Sequence, residues 1–198
     1  ALGNMKFDLS VSPNLIADSF ERRKGLGLDH RLIWIVASTH DGEEEIVLTV
    51  YKKLKKRYED LLLVLVPRHP PRSKLVGSIF EREGVEVRYE SSFESLREMN
   101  KFNVLIGDVM GSLFDLYGLA DIATVGGSFV DVGGHNPIEP GAYGLPILVG
   151  PHQYNFSEVM LEFEKHGGLK TMNDSEDLQN ALDRLLSSEK ERQKMGEA

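Results

Sequence analysis

Two hydrophobic rhythms alternate along this chain. Leu32 to Ala37 and Leu61 to Val66 are apolar without interruption, which marks strands buried on both faces, as in a parallel sheet. Val104-Leu105-Ile106, Ile122 to Val125 and Pro146 to Val149 repeat that signature in shorter form, and Leu169 to Met172 adds a last short strand. Val85 to Tyr89 alternates apolar and polar residues instead, the pattern of a sheet edge. Between these runs the apolar positions take helical spacing. Helices are predicted from Ser12-Pro13 to about Lys24, from Glu43 to Arg57, from Pro70 to near Glu83-Gly84, from Gly111 to Tyr117 and from Phe156 to Lys165. A terminal helix starts at Asp174-Ser175-Glu176-Asp177 and runs past Leu186. Ser91 to Asn100 is polar and weakly patterned. Strand and helix in alternation predict an α/β fold, a doubly wound parallel sheet with helices on both faces, as one domain over residues 1–198.

In such sheets ligands bind beyond the carboxyl ends of the strands, where strand order reverses. Four loops that follow predicted strands carry polar or glycine residues: Ser38-Thr39-His40, Arg68-His69, Gly107 to Gly111, and Gly126 to Glu139. The last is the richest. Gly126-Gly127 and Gly133-Gly134 bracket it, and Asn136, Pro137 and Glu139 follow as a helix-start signature with Asn as cap and Pro in the first helical position. Pro140 removes a donor, so the first turn is irregular or begins later. Bare N–H groups at a helix start favour an anion such as phosphate.

Glu139 has two readings at this point: a capping-box carboxylate returning to the Asn136 N–H, or an acceptor for the vicinal hydroxyls of a ribose. The glycines serve either turns or close approach of a ligand. His135 suits a hydrogen-bonding role more than acid catalysis, and Arg68 suits a two-point clamp on an anion as well as a surface ion pair. No nucleophile elbow accompanies Ser38, Thr39 and His40, no G-x-G-x-x-G follows the first strand, and no P-loop lysine motif occurs. The six histidines form no H-E-x-x-H and no cluster along the sequence, so no catalytic metal is expected.

Composition narrows the partners. With 198 residues, 41% hydrophobic and 27% charged, the chain is long and apolar enough for a full core. A net charge of −8 argues against a nucleic-acid surface, although a mononucleotide needs only one or two local cations. Cysteine is absent, which removes disulfides and thiol chemistry. The apolar runs are far shorter than the roughly 20 residues of a spanning helix, and no signal-peptide order is found at the N-terminus. The acids Glu43 to Glu45 and the basic run Lys52, Lys53, Lys55, Lys56 and Arg57 suit the two ends of a helix dipole, the latter reading as a solvated face with contact to an anionic membrane as its alternative. The two termini suggest a domain excised from a longer protein.

The stretch Gly126-Gly127-Ser128-Phe129 to Gly133-Gly134-His135-Asn136-Pro137-Ile138-Glu139-Pro140, with Gly144 to His152 after it, resembles the donor domain of bacterial 3-deoxy-D-manno-octulosonic acid (Kdo) transferases. Gly3 to Asp8, Ala37 to Glu44, Val66 to Pro70, Gly107 to Gly111 and Asn155-Phe156 extend the match along the chain. The resemblance implies the Rossmann-like C-terminal half of a GT-B glycosyltransferase, which moves Kdo from CMP-Kdo to a lipid A precursor with inversion, in lipopolysaccharide biosynthesis at the cytoplasmic face of the inner membrane. No cofactor or metal is implied. Under this resemblance Glu139 holds the ribose of CMP, while Gly133, Gly134, His135 and Asn136 surround the phosphate and Kdo. Arg68 and His69 contact the phosphate or base, and the backbone around Gly107, Met110 and Gly111 flanks the cytosine, with Gly127 and Ser128 also against the donor. Lys6, Ser38 and His40 are interdomain or Kdo contacts. Ser112 replaces an acidic residue expected there, which puts a donor contact from that position in question. The general base is implied in an N-terminal acceptor half not included here, so the chain is expected to bind donor without catalysing alone. Another GT-B domain, such as a UDP-sugar transferase or epimerase, and a non-catalytic flavodoxin-like module are the alternatives.

Overall fold

The computed structural model describes residues 14–198. In chain order its elements are α1 (Leu15–Gly25), β1 (Leu32–Thr39), α2 (Glu43–Lys55), β2 (Leu61–Pro67), α3 (Ser73–Arg82), β3 (Arg88–Tyr89), β4 (Val104–Ile106), α4 (Leu113–Tyr117), β5 (Ile122–Val125), α5 (Ile138–Ala142), β6 (Ile147–Val149), α6 (Ser157–His166), β7 (Leu169–Thr171), α7 (Ser175–Ser187) and α8 (Glu189–Gly196). The seven strands form one sheet in the order β3-β4-β2-β1-β5-β6-β7, and every pairing is parallel. From β1 the chain passes to β2, crosses to β3 at the sheet edge, steps back to β4 between β3 and β2, and then returns to β5 on the other side of β1. Strand order therefore reverses between β1 and β5.

The unbroken apolar runs have their physical explanation here. Trp34, Val36, Leu63 and Leu65 face a core covered by α2, α3 and α7, while Ile33, Ile35, Leu62 and Val64 face the opposite core under α4 and Tyr143. A strand packed on both faces has no room for polar alternation. The Trp34 indole also donates to Thr124 Oγ1 at 2.9 Å, tying β1 to β5 inside the sheet.

Several boundaries differ from the sequence reading. The expected strand over 85–89 pairs only at Arg88 and Tyr89, because the Val85 N–H is taken by the Phe80 carbonyl in the turn that ends α3. The weakly patterned stretch is two 3₁₀ turns, Glu90–Ser92 and Leu96–Lys101, with Met99 fully buried. The terminal helix is two helices. Ser188 is extended and caps α8 by accepting the Glu191 N–H, while Asp174 caps α7 as expected. The Ser12-Pro13 helix start lies outside the described residues.

Candidate functional site

The site begins at the point where strand order reverses. Near the end of β1 stands Ser38, the one non-glycine residue with positive φ among those described (60°), where the β1–β2 register shifts before Thr39. Gly42 then opens α2, and the first two residues of that helix turn inward. Glu43 is 2% exposed and its carboxylate collects four backbone N–H groups: Gly127 at 2.7 Å and His40 at 2.9 Å on Oε2, Phe129 at 2.9 Å and Ser128 at 3.1 Å on Oε1. A buried carboxylate is stable only when its oxygens are satisfied in this way. Glu44, fully buried, takes a bond from Thr39 Oγ1 at 2.9 Å and an ion pair from Arg72 at 2.8 Å. These acids brace two loops across the reversal point, where the sequence reading had them complementing the helix dipole. The signal that marks them is their place on the stripe Val47, Val50 and Leu54, which continues back to Glu43 at helical spacing.

Against this brace stands a cavity of about 410 Å³. Ser38, Arg68, Gly107, Met110, Gly111 and Glu139 line it, so four predicted loops meet at one rim. Apolar walls come from Val66, Leu113 and Phe114. Arg68 is exposed and enters no ion pair among the described residues, and Met110 is 83% exposed. Glu139 stands half-buried at the start of α5, which begins at Ile138, one residue later than the Asn136-Pro137 signature suggests. Asn136 still caps: its Oδ1 accepts the Ile138 N–H at 3.0 Å. Burial raises the Glu139 pKa, with the nearby Asn136 side chain working against the shift, and among the described residues no backbone N–H of Asn136 donates to the carboxylate. The reciprocal capping box is therefore not formed, and the carboxylate faces the cavity.

Three histidines that are far apart in sequence converge beside it, which the sequence reading did not foresee. His40 and His135 approach with Nε2 to Nε2 at 2.8 Å, and the His69 ring meets His40 edge-on at 6.0 Å. The His40 and His135 ring planes differ by 6° and their centres are 5.0 Å apart. That spacing exceeds the nitrogen spacing by nearly two imidazole radii, so the rings lie almost coplanar, corner to corner. This is the geometry of a linear N–H···N hydrogen bond. Burial, with His40, Arg68 and His69 adding positive charge, lowers the His135 pKa to about 4, and burial lowers that of His40 as well.

The glycine-rich loop is used differently from the expectation. The N–H groups after Gly126 are held by Glu43, leaving none of those three for a ligand. Gly127 needs its positive φ of 66°, and a Cβ there would lie 2.8 Å from the His135 ring, so the close approach is made by the protein's own side chain. Ser128, expected against the donor, is fully buried; its hydroxyl donates to the Val125 carbonyl at 2.6 Å and accepts the Gly150 N–H at 2.8 Å. It clasps β5 to β6, and its one hydroxyl hydrogen is already donated within the protein. Gly133 and Gly134 are buried against the segment from His152 to Asn155, whose Asn155 side chain donates to the Val132 and Gly134 carbonyls. They hold His135 and Asn136 at the rim without lining the cavity themselves. Lys6 lies outside the described residues.

Ser112 explains its own departure from the expected acid. Its hydroxyl donates to Glu90 Oε2 at 2.7 Å, and burial already raises the Glu90 pKa. A second carboxylate there would face the first at hydrogen-bond distance. Ser112→Asp is expected to lower unfolding stability by about 1–3 kcal/mol at pH 7 and by less at pH 5, where the pair retains a proton. Urea unfolding at the two pH values checks this. A larger groove of about 1010 Å³ lies at the other end of the sheet beside α2 and α3, lined by Lys52, Lys53, Lys55 and Lys56, and shares no residue with the rim. Among the described residues no group of three or more His, Asp or Glu side chains is arranged to hold a metal ion.

The chain was compared with known proteins. Residues 33–198 match the family model described as "Glycosyl transferases group 1". The chain is 40% identical over 197 residues to a 3-deoxy-D-manno-octulosonic acid transferase of Haemophilus influenzae, covering 99% of this chain and 45% of that protein. With the enzyme of the same name from Aquifex aeolicus it shares 40% over 172 residues, 85% of this chain and 46% of the other. It therefore spans about half the length of these relatives. Among solved structures it superposes on the C-terminal CMP-Kdo binding domain of WaaA from Acinetobacter baumannii with TM-score 0.77 and 29% identity, covering 87% and 88% of the two chains. Anabaena HepE in complex with UDP and glucose shares the fold, with TM-score 0.62 at 14% identity over 93% of this chain and 46% of that one. By its family match, its relatives and its fold, this chain belongs to the group 1 glycosyl transferases, with 3-deoxy-D-manno-octulosonic acid transferases among its relatives.

Proposed function

We propose that this chain is the donor-binding half of a Kdo transferase and takes CMP-Kdo at the rim between β1 and β5. The observation that carries the reading is the cavity in which Arg68, the Gly107 to Gly111 loop and Glu139 meet at the strand reversal. Its volume suits a mononucleotide. Glu139 accepts the ribose hydroxyls through two charge-assisted bonds, which also favour the ionised form that burial disfavours. The exposed backbone of Val109 and Met110 lies against the cytosine, and the Phe114 wall covers its apolar edge.

Arg68 and the histidines sit where the phosphate and the sugar acid would lie. In an inverting transfer the acceptor hydroxyl attacks the anomeric carbon as its bond to the CMP phosphate breaks, and negative charge grows on the phosphate. Fixed cations and N–H donors lower the energy of that charge. In this reading the acceptor is a lipid A precursor at the cytoplasmic face of the inner membrane, and the other half of the protein supplies the general base, without a metal. Among the described residues no helix is long and apolar enough to cross a membrane. Calorimetric titration with CMP and with UMP tests the reading: CMP binds more tightly, whereas equal or undetectable heats for both contradict it.

A further inference from the structure

We infer that the 3₁₀ turn Glu90–Ser92 sets the base selectivity of this chain by clasping both ends of the Gly107 to Gly111 loop, with Glu90 and Asp108 as positioning residues. The inference rests on the donor-site reading above and adds the groups that decide which pyrimidine fits. β3 and β4 pair only at Arg88 with Leu105 and at Tyr89 with Ile106. Side chains carry the pairing onward. Asp108 accepts the Ser91 N–H at 2.8 Å and the Ser91 hydroxyl at 2.6 Å, while Ser112 donates its hydroxyl to Glu90 Oε2 at 2.7 Å. Adjacent residues of one turn thus hold the loop before and after its tip. Val109, Met110 and Gly111 between these ties are exposed, and none of Glu90, Ser91, Asp108 and Ser112 lines the cavity. Glu90 is buried at a cost: burial first, and then Asp108, opposes its charge, and the bond from Ser112 offsets part of that.

The tip itself is easily turned over. Gly111 has φ 87° and stands third in the turn that the Ser112 N–H closes on the Val109 carbonyl at 3.5 Å, the position where a type II turn calls for glycine. A Cβ at Gly111 would meet nothing within 4 Å, so no packing holds the tip from that side. Cytosine and uracil differ by an exchange of donor and acceptor: an amino group and a bare ring nitrogen in one stand where a carbonyl and an N–H stand in the other. Peptide groups held in one direction match one of these edges and leave the other facing like partners. A loose tip turns its peptides to suit either base. The clasp therefore converts a bare backbone surface into a selective one.

The experiment is titration calorimetry of this chain and three variants with CMP and with UMP, read as the ratio of the two dissociation constants. Glu90→Ala and Asp108→Ala each lower the preference for CMP by about three- to tenfold, the worth of one misdirected hydrogen bond. A purely structural role would weaken both nucleotides alike and leave the ratio where it was. Glu90→Gln keeps the parent ratio, because its amide donates to Ser112 Oγ and the Ser112 hydroxyl turns to the Val109 carbonyl 3.0 Å away. Since alanine at a buried site can unfold the chain, amide relaxation of the unaltered, ligand-free chain gives a second readout. Order parameters of about 0.85 at Met110 and Gly111 are expected of a clasped tip, and values below about 0.6 overturn the inference. An unchanged ratio in both alanine variants, or the same loss in Glu90→Gln as in Glu90→Ala, also overturns it, while a parent chain that still prefers CMP leaves the donor-site reading intact. A parent chain that binds neither nucleotide, or both equally, overturns both.

Discussion

Glu43→Ala is expected to lower the unfolding free energy by about 3–5 kcal/mol, or roughly 6–20 °C in melting temperature for a chain of this size. The carboxylate is buried and accepts four backbone N–H groups drawn from the loop after β1 and the glycine-rich loop after β5. Alanine leaves those donors without an acceptor, and each buried orphan costs about 1–3 kcal/mol before water or relaxation recovers part of it. Glu43→Gln distinguishes acceptor loss from charge loss. Its amide nitrogen replaces one oxygen and meets two N–H donors, so a cost of about 2 kcal/mol is expected although the shape is kept. Urea unfolding of both variants measures the effect. A loss below about 1 kcal/mol for alanine would mean that the glycine loop holds its shape without the brace.

Glu139→Ala is expected to do the reverse, sparing the fold and removing the ligand. Two hydroxyl bonds to an ionised acceptor amount to about 2–3 kcal/mol, or roughly 30- to 150-fold in Kd for CMP. The stability side has a definite sign. Burial holds the folded pKa of Glu139 above its unfolded value, so its contribution is present at low pH and is lost as pH rises through the folded pKa. Glu139→Gln, which cannot ionise, therefore matches the parent in acid and is more stable near pH 7 by up to about 1 kcal/mol after solvent screening. A helix-capping glutamate would behave oppositely. A lower melting temperature with unchanged CMP affinity would return Glu139 to that role. Melting with and without CMP across pH 4–8 reads both quantities.

The fold was legible because its signal is local and repeated. Strands such as Leu61 to Pro67 are buried along their whole length, and only a parallel sheet with two covered faces accommodates that pattern. The family match to residues 33–198 and the structural likeness to a CMP-Kdo binding domain agree with the resemblance carried by the Gly126 to Pro140 stretch. Helix termini were less legible: Ser188 splits the last helix by turning extended and capping its own successor.

At the site, sequence order indicated which loops gather but not what each group binds. Arg68, Met110 and Glu139 reach one cavity because each follows a neighbouring strand. Ser128 follows a strand too, yet its hydroxyl is used by Val125 and Gly150, a pairing across 22 residues that no local pattern encodes. Glu43 and Glu44 read as first-turn acids that suit the helix dipole, a role that says nothing of the loops they brace. His40 and His135 are 95 residues apart, so their contact exists only once the sheet has assembled.

CMP is expected to occupy the rim between β1 and β5. Backbone amide shifts of the isotope-labelled chain during CMP titration test it most directly. Saturable shifts are expected at Arg68, at Val109 to Gly111 and at Asn136 to Glu139, with UMP producing weaker changes at the same concentrations. Shifts confined to the basic groove beside Lys52 to Lys56, or equal shifts for both nucleotides, would contradict it.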